Sequence, residues 1–195
     1  MPQPVPPTPP FTIRTVAAIG AGTAGRSFAL ACAAAGFDVI LEDVMPARLR
    51  QAEADYSDLT QNRSATSLGS LTLALTVEDA VRNADLAIDF VPDELESKLE
   101  IFSMIDRMSP PRTVLCTPSD ALSITDLASC TYRPTRCFAV RGSLTTPGSL
   151  CLLHPPTADP AVLSAVADFF TQLRFSPVPE SDPDAPMLMK NLVGK

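Results

Sequence analysis

The run Thr15-Val-Ala-Ala-Ile-Gly-Ala-Gly-Thr-Ala-Gly25 restricts this chain more than any other stretch, because a buried-strand pattern passes straight into Gly-x-Gly-x-x-Gly and then into a helix of small residues. Each glycine has a physical task. Gly20 permits the tight turn out of the strand, Gly22 removes the side chain that would keep a pyrophosphate away, and Gly25 lets the helix approach the sheet closely. The N–H groups where the helix begins, at Thr23 and Ala24, face the anion together with about half a unit of positive charge. The next strand, Asp38-Val-Ile-Leu-Glu-Asp43, ends in carboxylates 22 and 23 residues after Gly20. That is close to the spacing of the group that takes the adenosine ribose hydroxyls. Asp43 or Glu42 fits, and a carboxylate there disfavours the 2′-phosphate of NADP. NAD is therefore the expected cofactor.

The rest of the chain alternates short apolar runs with stretches of helical period, the order of an α/β sheet. Strands are expected at Thr15 to Gly20, Asp38 to Asp43, Leu71 to Leu75, Leu86 to Val91, Thr113 to Thr117 and Arg136 to Val140, all apolar enough to be covered on both faces. Helices are expected at Thr23 to Ala35, Pro46 to Leu59, Val77 to Asn83, Glu94 to Met108 and Ser123 to Ser129. Beyond them lie a strand at Ser149 to Leu153, an amphipathic helix at Pro160 to Leu173 and a proline-bounded edge strand containing Pro177 to Pro179. Met1 to Pro10 holds six of the 20 prolines and reads as a disordered or extended arm. Residues 11–195 then form one Rossmann-type doubly wound α/β domain with a mainly parallel sheet.

Charge and composition exclude several function classes. A net charge of −7 would repel a phosphate backbone, so nucleic acid is not an expected partner. No apolar run approaches the roughly 18 residues that suggest a membrane span, and the N-terminus lacks the cationic and apolar regions of a signal peptide. The five cysteines are odd in number and show no Cys-x-x-Cys spacing, which argues against a disulfide framework and against a metal site, and favours the cytoplasm. The one histidine, His154, precedes two prolines at a strand end and reads as a packing residue.

From Thr15 to Asp43 the chain resembles the opening βαβ unit of the NAD-binding domain of 3-hydroxyacyl-CoA dehydrogenases, a group that includes the lambda-crystallin-like dehydrogenases; the match puts Asp43 at the ribose-binding aspartate. A second block, Ala84-Asp-Leu-Ala-Ile-Asp-Phe-Val-Pro-Asp-Glu-Leu-Glu-Ser-Lys-Leu-Glu-Ile-Phe102, is similar to the family's strand ending in Glu-Ala-Val-x-Glu and its lysine-bearing helix. The resemblance implies that Asp93 and Lys98 lie near the nicotinamide end of the cofactor. Read from spacing alone, Lys98 pairs on its helix with Glu94, four residues earlier.

The departures from the family fall on its catalytic groups. In Leu115-Cys-Thr-Pro-Ser-Asp120 the family's catalytic serine falls on Asp120 and its asparagine on Pro118. The catalytic histidine falls on Arg141, and the glutamate that orients it on Leu153 by plain counting or on Cys151 by strand pattern. Asp184-Ala-Pro-Met-Leu-Met-Lys-Asn191 places Asn191 on an active-site asparagine.

An arginine stays protonated and cannot replace histidine as a base. The opposite charges of the two replacements predict an Asp120–Arg141 ion pair over the nicotinamide site, which either fills a vacated space or presents Arg141 to a substrate carboxylate. Pro46 to Ser70 is short and offers only Arg48, Arg50 and Arg63 where the family binds CoA. The chain stops at Lys195, where the resemblance predicts an all-helical domain: either a helical partner chain or a homo-oligomer closes the small-molecule substrate site, or the site stays open to water, or the sequence is cut here. Two functions remain: an NAD-dependent oxidoreductase acting on a β-hydroxyacyl or β-hydroxy acid group, or a catalytically silent NAD-binding module.

Overall fold

The computed structural model describes residues 11–61 and 68–182. The Met1 to Pro10 arm, Arg63 and Asn191 lie outside the described residues. In chain order the elements are β1 (Thr15–Ile19), α1 (Thr23–Ala34), β2 (Asp38–Glu42), α2 (Pro46–Gln61), β3 (Leu71–Ala74), α3 (Val77–Val81) and β4 (Leu86–Asp89). They continue with α4 (Leu95–Met108), β5 (Val114–Pro118), α5 (Ile124–Ser129), β6 (Cys137–Arg141), β7 (Ser149–His154), α6 (Pro160–Gln172) and β8 (Ser176–Ser181).

All eight strands join one sheet in the order β3-β2-β1-β4-β5-β6-β7-β8. The first six run parallel, β7 turns antiparallel to β6, and β8 is parallel to β7. The chain leaves β1 toward β2 on one side and returns to β4 on the other, so the crevice of this doubly wound sheet opens between β1 and β4, beyond their carboxyl ends.

Apolar residues on both faces of the strands create two cores. Val16 and Ala18 of β1 face one core with Phe28 and Ala29 of α1 and Phe169 and Phe170 of α6. Ala17 and Ile19 face the other with Ile101, Phe102 and Ile105 of α4. Phe28 centres the first core, its ring 5.4 Å from that of Phe90 and 6.3 Å from that of Phe169. Small residues allow this depth: Ala29, Cys32 and Ala33 of α1 are wholly buried, so the helix axis sits close to the sheet.

The edge strand β8 is longer than Pro177 to Pro179, and its prolines explain why. Ser176 donates its N–H to the Gly148 carbonyl, and Asp182 donates to His154. Even-numbered N–H groups therefore face β7, while positions 177 and 179 point outward, where a missing N–H costs no ladder bond. The prolines also remove donors from the open edge, which disfavours pairing with another strand.

A one-turn 3₁₀ segment at Pro134–Arg136 was not expected from the sequence. It follows Arg133, whose Nε donates to Asp106 Oδ1 at 2.7 Å and whose Nη1 bonds the Pro110 carbonyl. The turn brings the chain back to the start of β6 over a satisfied, nearly buried ion pair.

Candidate dinucleotide site

The glycine loop lies at the junction of β1 and α1. Gly20 has φ 101°, a left-handed conformation that favours glycine, and its N–H donates to the Glu42 carbonyl at 2.8 Å. A Cβ on Gly25 would come within 1.9 Å of the Gly20 carbonyl oxygen and 3.1 Å of Phe90 Cδ2. Gly25 is thus the close-approach residue between helix and strand. A Cβ on Gly22 would meet nothing within 4 Å, so no protein packing demands a glycine there. The space beside it suits a group that must approach the backbone.

Gly22 is also the N-cap of α1, and no side chain caps that helix. By contrast Thr76, Ser123 and Asp159 each accept an N–H at the starts of α3, α5 and α6. The first N–H groups of a helix lack intrahelical acceptors. Around Thr23 and Ala24 they are therefore available to an anion. The residues present fit a diphosphate in position, chemistry and space.

Asp43 fixes the loop from the end of β2. Its Oδ2 accepts the Ala21 N–H at 2.8 Å and Arg48 Nη1 at 3.2 Å, and its Oδ1 accepts the Met45 N–H at 2.8 Å. Burial alone would raise this carboxyl, but the Met45 and Ala21 N–H groups and the Arg48 guanidinium outweigh it and hold it below its ordinary value. Oδ1 keeps a lone pair for a sugar hydroxyl. Glu42 is buried behind it, its carboxyl pushed up by burial and by the neighbouring Asp43 charge. Asp43 bonds the Ala21 N–H of the glycine loop, while the Gly20 N–H pulls the Glu42 carboxyl down against its burial.

Val44 and Leu75, 78% and 58% exposed, stand just past the ends of β2 and β3. The sequence reading missed them. Their signal was an apolar residue just past the end of each of two neighbouring parallel strands, a place suited to a flat apolar base.

At the end of β4 the structure corrects the placement of Lys98. Its Nζ is 2.7 Å from Asp89 Oδ1, and both residues are wholly buried, so Lys98 neither faces the crevice nor pairs with Glu94. Glu94 is the N-cap of α4, and the helix turns Lys98 inward onto the sheet. Burial raises the Asp89 carboxyl against the pull of Lys98. Asp89 Oδ1 also accepts the Val91 N–H at 3.3 Å, which shapes the loop after β4.

Asp93 lies in that loop, exposed, and its Oδ2 accepts the Asp120 N–H at 3.0 Å. It thereby ties together the loops after β4 and β5. The expected Asp120–Arg141 ion pair is absent. No ion pair within 4.0 Å joins them.

Arg141 instead lies opposite Cys151 in the β6–β7 register, and Leu153 is opposite Ala139. Cys151 Sγ donates to Glu180 Oε2 at 3.1 Å, and burial together with Glu180 raises the thiol. Arg141 Nε is buried without a hydrogen-bond partner among the described residues. His154 Nδ1 is 2.9 Å from the Pro155 carbonyl, a local packing contact. Asp182, also missed, is buried and accepts Ser123 Oγ at 2.6 Å and the Thr125 N–H at 2.9 Å, fixing the end of β8 against α5.

Known proteins resemble this chain in sequence and in fold. The "Probable 3-hydroxybutyryl-CoA dehydrogenase" of Bacillus subtilis is 31% identical over 134 residues, covering 64% of this chain and 46% of that protein. The "L-carnitine dehydrogenase" of Streptomyces coelicolor is 30% identical over 135 residues, covering 66% of this chain and 42% of that one. The chain thus spans about half the length of the curated relatives it matches. Among solved structures, the (S)-3-hydroxybutyryl-CoA dehydrogenase of Ralstonia eutropha superposes with TM-score 0.78 at 22% identity, covering 88% of this chain and 65% of that chain. A diketoreductase superposes with TM-score 0.76 at 23% identity, covering 93% and 69%. These two likenesses carry the fold.

The family description "3-hydroxyacyl-CoA dehydrogenase, NAD binding domain" matches residues 15–178. From the first strand to the edge strand, with the glycine loop and Asp43 inside the match, this chain belongs to that family of NAD-binding domains.

Proposed function

We propose that the chain is the cofactor-binding part of an NAD-dependent oxidoreductase acting on the CH–OH group of a β-hydroxyacyl or β-hydroxy acid substrate, with acid–base chemistry altered from that of its relatives. The observation that carries this reading is the open space beside Gly22 at an uncapped helix start. NAD, when bound, supplies the hydride acceptor. The chain's own residues bind and orient it: the N–H groups between Gly20 and Gly25 hold the diphosphate, and Asp43 Oδ1 accepts a ribose hydroxyl. Asp93 fixes the loops at the nicotinamide end, and Lys98 acts through Asp89 on one of them.

Arg141, with its buried and unpartnered Nε, holds a substrate carboxylate or polarises a carbonyl oxygen. Asp120, exposed and outside any ion pair among the described residues, is the carboxylate that takes the hydroxyl proton. Asn191 contributes a further polar contact, and a helical partner chain or a second copy closes the substrate side.

A second reading, a catalytically silent NAD-binding module, is favoured by one observation: Asp120 and Arg141 do not meet, so no base is oriented as the family's histidine would be. Fluorescence titration of NADH, followed by assays of β-hydroxyacyl thioesters and β-hydroxy acids with the chain alone and with candidate helical partners, separates the two. Turnover lost in Arg141→Met or Asn191→Ala supports the enzyme; NADH binding without turnover supports the module. Gly22→Asp puts a negative side chain where the diphosphate is proposed. Binding that survives this change overturns the site.

A further inference from the structure

The Asp43 carboxylate does not stand alone at the ribose end. Arg48, in the first turn of α2, reaches back to it with Nη1 at 3.2 Å. Asp43 is 4% exposed, whereas the Arg48 side chain is 51% exposed and makes no other hydrogen bond among the described residues. We propose that Arg48 is a latent 2′-phosphate ligand held back by Asp43, and that the Asp43–Arg48 pair sets how strongly the chain prefers NAD over NADP.

This inference rests on the reading that a dinucleotide lies on the glycine loop with its adenosine ribose at Asp43. The physical argument is short. A carboxylate at the ribose hydroxyls repels a 2′-phosphate, and a nearby arginine attracts one. Here both groups are present and in contact. The guanidinium is a planar fork of donors that matches a phosphate, and only one of its nitrogens is engaged by Asp43. The position is also pinned from below: the Arg48 N–H donates to the Met45 carbonyl at 3.0 Å, so the first turn of α2 presents the side chain toward the carboxylate. Replacing Asp43 by its neutral amide removes the repulsion and releases the guanidinium together.

The test is titration of the full chain with NADH and with NADPH. Asp43→Asn is expected to raise NADPH affinity by about tenfold, the size of one hydrogen bond between charged groups. Asp43→Asn/Arg48→Gln is expected to lose that gain. Arg50→Gln, exposed on the same helix, serves as the charge control. An equal NADPH gain with and without Arg48 would mean that only lost repulsion matters and overturns the proposal. NADPH binding too weak to detect at millimolar concentration in both wild type and Asp43→Asn overturns it as well. If Asp43→Asn does not fold, Asp43→Ser with and without Arg48→Gln carries the same comparison: the NADPH gain must depend on Arg48. Failure of the wild type to bind NADH would instead refute the cofactor reading, and this inference with it.

Discussion

Replacing Lys98 by methionine keeps the length of the side chain and removes its ammonium. Asp89 is then left wholly buried with its only ionic partner among the described residues gone, since Lys98 Nζ at 2.7 Å is that partner. Breaking such a pair from one side costs about 3–5 kcal/mol. Removing both charges with packed apolar groups is often neutral, so Asp89→Leu/Lys98→Met is expected to recover most of the loss. The contrast between the single and double variants measures the pair, and a one-sided cavity effect cannot imitate it.

The pH dependence has a definite sign. Burial already raises the Asp89 carboxyl in the wild type, and loss of Lys98 raises it further. A carboxyl whose folded value lies above its unfolded value of about 3.9 is most compatible with folding below that value. Its contribution is lost as pH rises through the folded value. Urea denaturation of Lys98→Met should therefore show its smallest deficit near pH 4 and its largest near pH 8. A single-variant loss under about 1 kcal/mol at pH 8, or a deficit that does not grow with pH, would refute the buried-pair account. NADH titration of the double variant adds a second readout: retained binding assigns Lys98 a positioning role, whereas lost binding in a stable protein would mean that it touches the cofactor.

Gly25→Ala should destabilise the domain by about 1–3 kcal/mol, because its Cβ would lie 1.9 Å from the Gly20 carbonyl oxygen and force α1 away from the loop. Thermal melting checks this against Gly22→Ala, which meets no atom within 4 Å and should melt near the wild type. Asp43 carries the opposite pH sign to Asp89. Its carboxyl is held low, so it stabilises the loop above about pH 4 and loses that contribution as pH falls through its folded value. Acid unfolding of Asp43→Asn should therefore show a shallower pH dependence than the wild type below pH 4.

The elements that make the sheet were legible because each carries its own local signal. Thr15–Ile19 and Asp38–Glu42 are short apolar runs bounded by glycine or acidic residues, and Asp159-Pro160 marks the start of α6 by a side-chain cap and a proline at the first helical position. The glycine loop was legible for the same reason, since its three residues do three different local jobs. The full length of β8 was hidden because prolines argue against a strand unless one knows which way their nitrogens face. That direction is set by β7, far away in sequence.

The charged groups of the site were harder, and the failures share a cause. Lys98 has a carboxylate at Glu94, four residues back, and that spacing ordinarily makes a surface pair. The better signal was Asp89, the single charge in Leu86–Asp89, a strand buried along its whole length. A charge there demands a counter-ion, and only a side chain from the helix covering that face can supply one. The opposite charges of Asp120 and Arg141 predicted an ion pair, yet none joins them. Asp120 does not meet Arg141, and its backbone N–H bonds Asp93, a residue that the fold uses to join two loops. Resemblance in sequence transfers positions on the backbone; which charges meet is decided by where the fold points their side chains.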